Sequence, residues 1–552
     1  MTTLLAKTSE LALPRSRRAM LLPGETMAAF LDREQLFAVD PQGIARLPVL
    51  VGGELLVPEV PSFDLIAQAI ASGQRSIEIG ETLLIMIAGK AGDDVPLCLA
   101  LPRLVDPTAA IPGDLPGQIR NLHPLPFAEV AAHIDRIGAA MAPGGAIVAA
   151  ALPLALACAD VSDHFIRLGF ADVHAAYSGI AVAKAVDREL GYGGRPGRDF
   201  LDAWVEIDDD VAPGAMATAR GRIGGSSAAM PPKRRVRAVP MSQLHVTAGN
   251  SPVVPAISAL RALATKGPVT VKLPSGALVA GAAFALALWA AGPDHPLIRY
   301  STVAYWRGGD EAVESVLFRH GAFERIVVWG SRDSVDAVAR QAAGTKTLIF
   351  NPRYGMSLIG REALAAERLD ETVRRAAQDT MIWNQQACIA SLVHYVEGDD
   401  LAVDAYCEAL RVELGLWDAA HGAVPDRAMV GRIRTARRGE LSDGRWMPNG
   451  PPVAPTSAVV RMDRSFDLSS HPMARVVVVR KIADIADTLN LMHAGVSSVG
   501  VFPVQRLESL RDEICGRGVT SALPLGEADT NFLGAPHDGM RALSELVSWS
   551  VS

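Results

Sequence analysis

A chain of 552 residues exceeds what one hydrophobic core supports, and 49% hydrophobic with 20% charged residues lies far from the composition of a disordered polypeptide, so two or three packed domains are expected. The net charge of −7 argues against a nucleic-acid binder, because neutralising a phosphate backbone takes a basic face. Five cysteines, at 98, 158, 388, 407 and 515, are odd in number and show no CxxC or Cys/His ligand spacing, which argues against a disulfide framework or a metal site and for a reducing, cytoplasmic setting.

Residues 1–60 are read as an N-terminal extension, without the apolar core and small-residue cleavage site of a secretion signal. Up to about residue 210, segments such as "GGAIVAAALPLALACADV" fit either a buried helix or a buried strand. Then "MATARGRIGGSSAAMPPKRRVRAVP" has the Gly, Ser, Pro and Arg content of an exposed connection. Its "GRIGGSS" lacks the preceding strand and the spacing of a phosphate loop.

From residue 240 onward, strand-like runs alternate with helical patterns, as in βαβ units around a mostly parallel sheet. A short strand at 244–247 runs into Gly-Asn-Ser-Pro and a helix starting near Pro252 or Pro255. Asn250 therefore sits beside a helix N-terminus, although by itself this is an ordinary turn sequence. A β-branched strand at 268–273 carries Lys272 at its C-terminal end. The uncharged stretch 273–293 reaches membrane-spanning length, yet it opens with Pro-Ser-Gly and is rich in alanine, and it is read as a helix buried on both sides.

The strand at 325–330 ends in Trp329 and Gly330, and Ser331 leads into a helix stopped by Gly344. An amphipathic helix follows in "REALAAERLDETVRRAAQDT", with Asp370–Arg374 and Glu371–Arg375 at i,i+4 spacing. It delivers the chain to "NQQACIA", where Cys388 by itself reads more readily as an inert core thiol than as a nucleophile. A further strand and helix are expected from "MARVVVVRKI" (473–482) and "ADIADTLNLMHAG". Two basic runs, Lys233, Arg234, Arg235, Arg237 and Arg432, Arg434, Arg437, Arg438, are read as solvated faces.

Each signal is weak singly, but their order is distinctive. Through "HVTAGNSP", "YWRGGDE", "VVWGS", "NQQACIA" and "PHDGM", the chain from residue 240 resembles the aldehyde dehydrogenase superfamily and, within it, the acyl-CoA reductase family of bacterial bioluminescence type. The resemblance implies an α/β, aldehyde dehydrogenase-like fold. A parallel-sheet coenzyme domain over 61–350 would precede an α/β catalytic domain over 351–520, with a C-terminal segment (521–552) that returns to the coenzyme domain or makes an oligomer contact.

By the same resemblance Cys388 is the nucleophile, and Asn250 with the Cys388 backbone N–H forms the oxyanion hole. Lys272 and Ser275 meet the adenosine ribose or its 2′-phosphate. Trp329, Gly330 and Ser331 face the coenzyme, and "PHDGM" is a structural turn near the subunit contact. The implied cofactor is NADPH, with NADH possible, and coenzyme A is the leaving group. The implied partners are an acyl-CoA or an acyl group from an acyl-activating protein, within a homodimer or tetramer that has no membrane span.

Two departures from the superfamily select the reaction. The general-base glutamate is missing from "TLIFNPRYGMSLIG" (347–360), with Glu362 just outside, and a coenzyme-orienting glutamate is missing from "FDLSSHPMARV" (466–476). Without a placed carboxylate to activate water, hydrolysis of an acyl-enzyme is slow and exchange with coenzyme A dominates, so the resemblance implies interconversion of a thioester and an aldehyde, taken here in the reducing direction. The rivals are an acyltransferase or thioesterase that uses Cys388 without hydride transfer, and a non-catalytic scaffold.

Overall fold

The computed structural model describes residues 13–62, 65–66, 73–87, 97–159, 161–207, 234–421, 427–530 and 534–552. "GRIGGSS" and Lys233 lie outside these residues.

Five parallel strands form the centre of the first sheet, in the spatial order Ser301–Ala304, Val269–Lys272, Gln243–Val246, Arg325–Trp329, Lys346–Phe350. Sequences such as VTVK and RIVVW suit strands covered on both faces, where β-branched side chains pack on the pleat. The chain leaves the middle strand for one side through helix Val253–Ala264 and returns to its other side with Arg325–Trp329. The loops after Val246 and Trp329 therefore diverge at a topological switch point, where open α/β sheets bind ligands.

The uncharged stretch is a helix of 13 residues, Leu278–Ala290, buried on nearly every side. At 1.5 Å per residue it is ~20 Å long, too short for a bilayer. Among the described residues no helix is long and apolar enough to cross a membrane. The ambiguous earlier segment is also helical, Ala146–Cys158, and packs against it.

Within the span expected as an N-terminal extension, strands Ser16–Arg18, Glu54–Pro58 and Val49–Val51 continue the first sheet, and Leu50 pairs with Val303. No sheet boundary falls at residue 60, because this apolar hairpin buries its side chains by covering the edge strand Ser301–Ala304.

The chain passes to the second sheet between Phe350 and Tyr354. There the order is Arg445–Asn449, Ser457–Arg461, Val476–Ile482, Ser391–Glu397, Tyr354–Ile359, Val496–Phe502, Ser521–Pro524, parallel except for the first pair. The C-terminal segment divides: Ser521–Pro524 edges this sheet, whereas Val547–Val551 pairs antiparallel with Arg235–Pro240.

Two local expectations are corrected. The helix expected after residue 482 is a 3₁₀ helix, Ile485–Leu491, in which Thr488 Oγ1 donates to the Ile485 carbonyl at 2.6 Å and competes with α-helical bonding. Of the two i,i+4 pairs on helix Leu369–Met381, Glu371–Arg375 forms at 2.9 Å, but Arg374 Nε donates to the Asp370 backbone carbonyl instead. The basic residues Arg432, Arg434, Arg437 and Arg438 lie on the exposed side of helix Arg427–Arg438, as a solvated face requires.

Candidate active site

Helix Leu369–Met381 ends at a segment in which Trp383, Asn384 and Gln385 have φ of 50°, 55° and 68°. Consecutive left-handed residues other than glycine cost on the order of 1 kcal/mol each or more and persist only when their surroundings hold them. Here the holders are distant in sequence. The buried Arg475 donates to Asn384 Oδ1 through Nε at 3.1 Å and to Asp418 Oδ1 through Nη1 at 2.9 Å. The Gln385 side chain pairs with the Val476 backbone, donating to its carbonyl at 2.6 Å and accepting from its N–H at 3.0 Å. The chain is thereby set to present Cys388, partly exposed, at the start of strand Ser391–Glu397.

Asn250 leaves the first sheet's middle strand and meets this loop: its Nδ2 donates to the Gln386 carbonyl at 3.0 Å. Its second amide hydrogen is left for another acceptor. Asn250 Oδ1 and Gln386 Nε2 are both buried without a hydrogen-bond partner. A cavity of about 80 Å³ is lined on its polar side by Asn250, Ser275 and Gln386 and on its apolar side by Leu99, Val161 and Ile166. The loops carrying Asn250 and Ser275 touch so closely that a Cβ on Gly276 would lie 2.6 Å from the Gly249 carbonyl oxygen.

Lys272 ends its strand with Nζ over the Trp306 ring, 5.6 Å from the centroid, and has no described carboxylate at ion-pair distance. Burial pulls its ammonium below the ordinary lysine value, and Glu314 partly offsets this. Ser331 caps helix Arg332–Gln341 by accepting from Ser334 N–H at 3.4 Å. Trp329 turns inward: its Nε1 donates to Ser258 Oγ at 3.1 Å and its ring stacks on Phe350 at 3.8 Å, with the Arg261 guanidinium 5.2 Å from both ring centroids.

Burial pushes the Cys388 thiol up to about 11; Asp538 pushes the same way and Arg353 opposes. Neither Arg353 nor Asp538 was singled out by sequence reasoning. Arg353 lies inside the stretch that lacks the expected acid, and Asp538 inside "PHDGM", read as a structural turn. The third residue missed, Arg475, stands in the segment that lacks the coenzyme-orienting glutamate. Glu362 is ion-paired with Arg506 at 2.8 Å and largely exposed.

The fold that carries these residues is that of the aldehyde dehydrogenases. Over 92% of this chain it superposes on aldehyde dehydrogenase 21 from Physcomitrella patens (TM-score 0.65, 11% identity, 97% of that chain). It matches NADP-dependent glyceraldehyde-3-phosphate dehydrogenase from Bacillus halodurans C-125 over the same share (TM-score 0.64, 13% identity, 98% of that chain). Within that fold, residues 233–549 match the family model described as Acyl-CoA reductase (LuxC), and the chain belongs to this family. Among curated proteins it is similar to the long-chain acyl-protein thioester reductases of Vibrio harveyi, 24% identical over 56% of this chain and 64% of the relative, and of Photorhabdus luminescens, 25% identical over 57% and 64%. The match thus spans a little under two thirds of those relatives' length.

Proposed function

We propose that this protein is an acyl thioester reductase: Cys388 takes an acyl group from a thioester, and the acyl-enzyme is reduced to an aldehyde. The observation that carries the reading is the Asn250 amide bonded to the Cys388 loop with one N–H to spare, in a chain whose stretch 347–360 contains no glutamate to activate water. The Cys388 thiolate attacks the carbonyl carbon, Asn250 Nδ2–H and the Cys388 N–H stabilise the oxyanion, and the donor thiolate leaves. After reduction the Cys388–carbon bond breaks, freeing the aldehyde.

The residues at the switch point fit a dinucleotide: Lys272 is a cation without a bonded carboxylate, Ser275 lines the open cavity, and Gly330 with Ser331 precedes a helix N-terminus. NADPH, or NADH in its place, supplies hydride to the acyl carbon when bound. The curated relatives are reductases of acyl-protein thioesters by name, so an S-acylated protein partner is the first donor to consider, with acyl-CoA, and coenzyme A as leaving group, the second.

The test is NADPH oxidation by the purified protein with S-acylated protein and with short, long and aromatic acyl-CoAs, trapping aldehyde, alongside Cys388→Ala. Aldehyde equimolar with NADPH consumed, and lost by at least about 10³-fold in the variant, is the expected result. Acylation of Cys388 without NADPH consumption overturns the reading in favour of acyl transfer.

A further inference from the structure

The stretch 347–360, where the resemblance led to the expectation of a general-base glutamate, holds a mostly buried cation, Arg353. Arg353 precedes strand Tyr354–Ile359, which runs parallel to strand Ser391–Glu397 with Gly355 opposite Ser391. Gly355 N–H donates to the Ala390 carbonyl at 2.9 Å, and a Cβ on Gly355 would lie 2.3 Å from the Ile389 carbonyl oxygen, so the two backbones are pressed together at their entry. Two residues back along one strand is Arg353; three back along the other is Cys388. Across from Arg353 stands Asp538, itself left-handed at φ 49°, with its Oδ1 3.8 Å from Arg353 Nε.

That distance is too long for a hydrogen bond, and Arg353 Nε and Nη1 are buried with no hydrogen-bond partner at all. Buried guanidinium donors left unspent are costly and call for a functional account. Each of the other charged groups of the cluster has a hydrogen-bonded partner, although Arg261 Nη1 is, like the Arg353 donors, buried without one. Arg261 Nη2 donates to His537 Nδ1 at 2.8 Å and lies over the Trp329 and Phe350 rings. Glu189 accepts from Leu543 N–H at 2.7 Å, with Arg261 and Arg541 acting on it electrostatically. His537 stays neutral, held down to about 3 by burial and by Arg261 and Arg353.

We propose that Arg353 is the activating cation of this site: its guanidinium stabilises the Cys388 thiolate, and Asp538 is the counter-charge that restrains it. This rests on Cys388 being the nucleophile. The thiol proton passes to solvent, to which Cys388 is partly exposed. Anything that turns Arg353 from Asp538 toward the sulfur, such as arrival of the acyl donor, activates the thiol at the moment of use. The direction of each charge agrees, with Arg353 favouring and Asp538 opposing ionisation of Cys388.

The experiment is the pH dependence of iodoacetamide alkylation at Cys388, resolved by peptide mass in the full chain without coenzyme. Arg353→Met raises the midpoint pH, and alkylation at a fixed pH below the midpoint slows about tenfold for each pH unit by which the midpoint rises. Arg353→Lys restores much of the rate, and Asp538→Asn moves the midpoint the opposite way. A midpoint unmoved by Arg353→Met, or moved in the same direction by both neutralising substitutions, overturns the proposal. Labelling of the buried Cys407 in the same digest reports loss of fold. If Arg353→Met shows it, Asp538→Asn decides alone: a lowered midpoint supports the proposal and an unchanged one overturns it. Aldehyde production surviving in Cys388→Ala removes Cys388 as the nucleophile on which the proposal rests, whereas acylation of Cys388 without NADPH consumption sinks the reductase reading instead, whatever the alkylation profiles show.

Discussion

The first sheet and the cysteine loop are built on opposite principles. In the parallel core of the first sheet the strands Gln243–Val246, Val269–Lys272, Ser301–Ala304 and Arg325–Trp329 are each followed by a helix, the cap of Arg332–Gln341 is the neighbouring Ser331, and a window of a dozen residues contains most of what shapes each element. The loop before Cys388 takes a conformation its own residues disfavour, imposed by Arg475 and Val476, about 90 positions away, and by Asp418 behind Arg475. A parallel sheet with its helices can be assembled from local rules. A cysteine loop that meets Asn250 from the other sheet is held by long-range bonds.

If that contrast is right, the largest loss comes from the distant holder. Arg475→Met leaves the buried Asp418 carboxylate with Ser457 but without its cationic partner, and the Asn384 carbonyl without its guanidinium donor, and costs about 3 to 5 kcal/mol, read from urea unfolding. An unfolding free energy within 1 kcal/mol of the wild type, on the order of ordinary surface substitutions, would break the comparison. Asn250→Ala tests the meeting of the two halves: kcat for aldehyde formation falls about 10²- to 10³-fold, with KM for the acyl donor changing far less.

A pH dependence, spread over several units, concerns the helix that feeds the cysteine loop. Asp379, buried on the helix that feeds the cysteine loop, accepts from Gly526 N–H at 2.8 Å and Ala528 N–H at 3.0 Å, yet burial, aided by Asp529 and Glu527, raises its carboxyl to about 7. The folded chain therefore keeps a proton that the unfolded chain loses above its ordinary value of about 4. Stability gained at low pH is lost as pH rises, at up to about 1.4 kcal/mol per pH unit, and levels off above about 7. Urea midpoints across that range should slope in the wild type and lose this component in Asp379→Asn. The smallest effect belongs to the local side: Ser331→Ala removes a helix cap worth about 1 kcal/mol, read in the same unfolding assay.

Much of the first sheet was legible because its signals are short in range. Val-Thr-Val-Lys before Pro-Ser-Gly reads as a strand and its exit, and the uncharged alanine-rich run after it, read as a helix buried on both sides, is one. The 3₁₀ helix at Ile485–Leu491 escaped because Thr488 diverts a bond that no apolar periodicity reveals. Residues 16–58 escaped because membership of a sheet depends on which edge is open, a property of the assembled fold.

The sequence alone determined that a cysteine follows a parallel α/β half, that Asn250 and Lys272 end consecutive strand steps, and that the expected glutamate is absent. Chain order and residue type are enough for these. Only the tertiary structure decided that Asn250 Nδ2 reaches the Cys388 loop, that Arg475 bonds to Asn384 and so holds it, and that Arg353 and Asp538 lie 3.8 Å apart where both act electrostatically on Cys388. Charges act through space, and residues such as Asp418 and Arg475, or Arg353 and Asp538, become neighbours only when separate strands and loops are packed together.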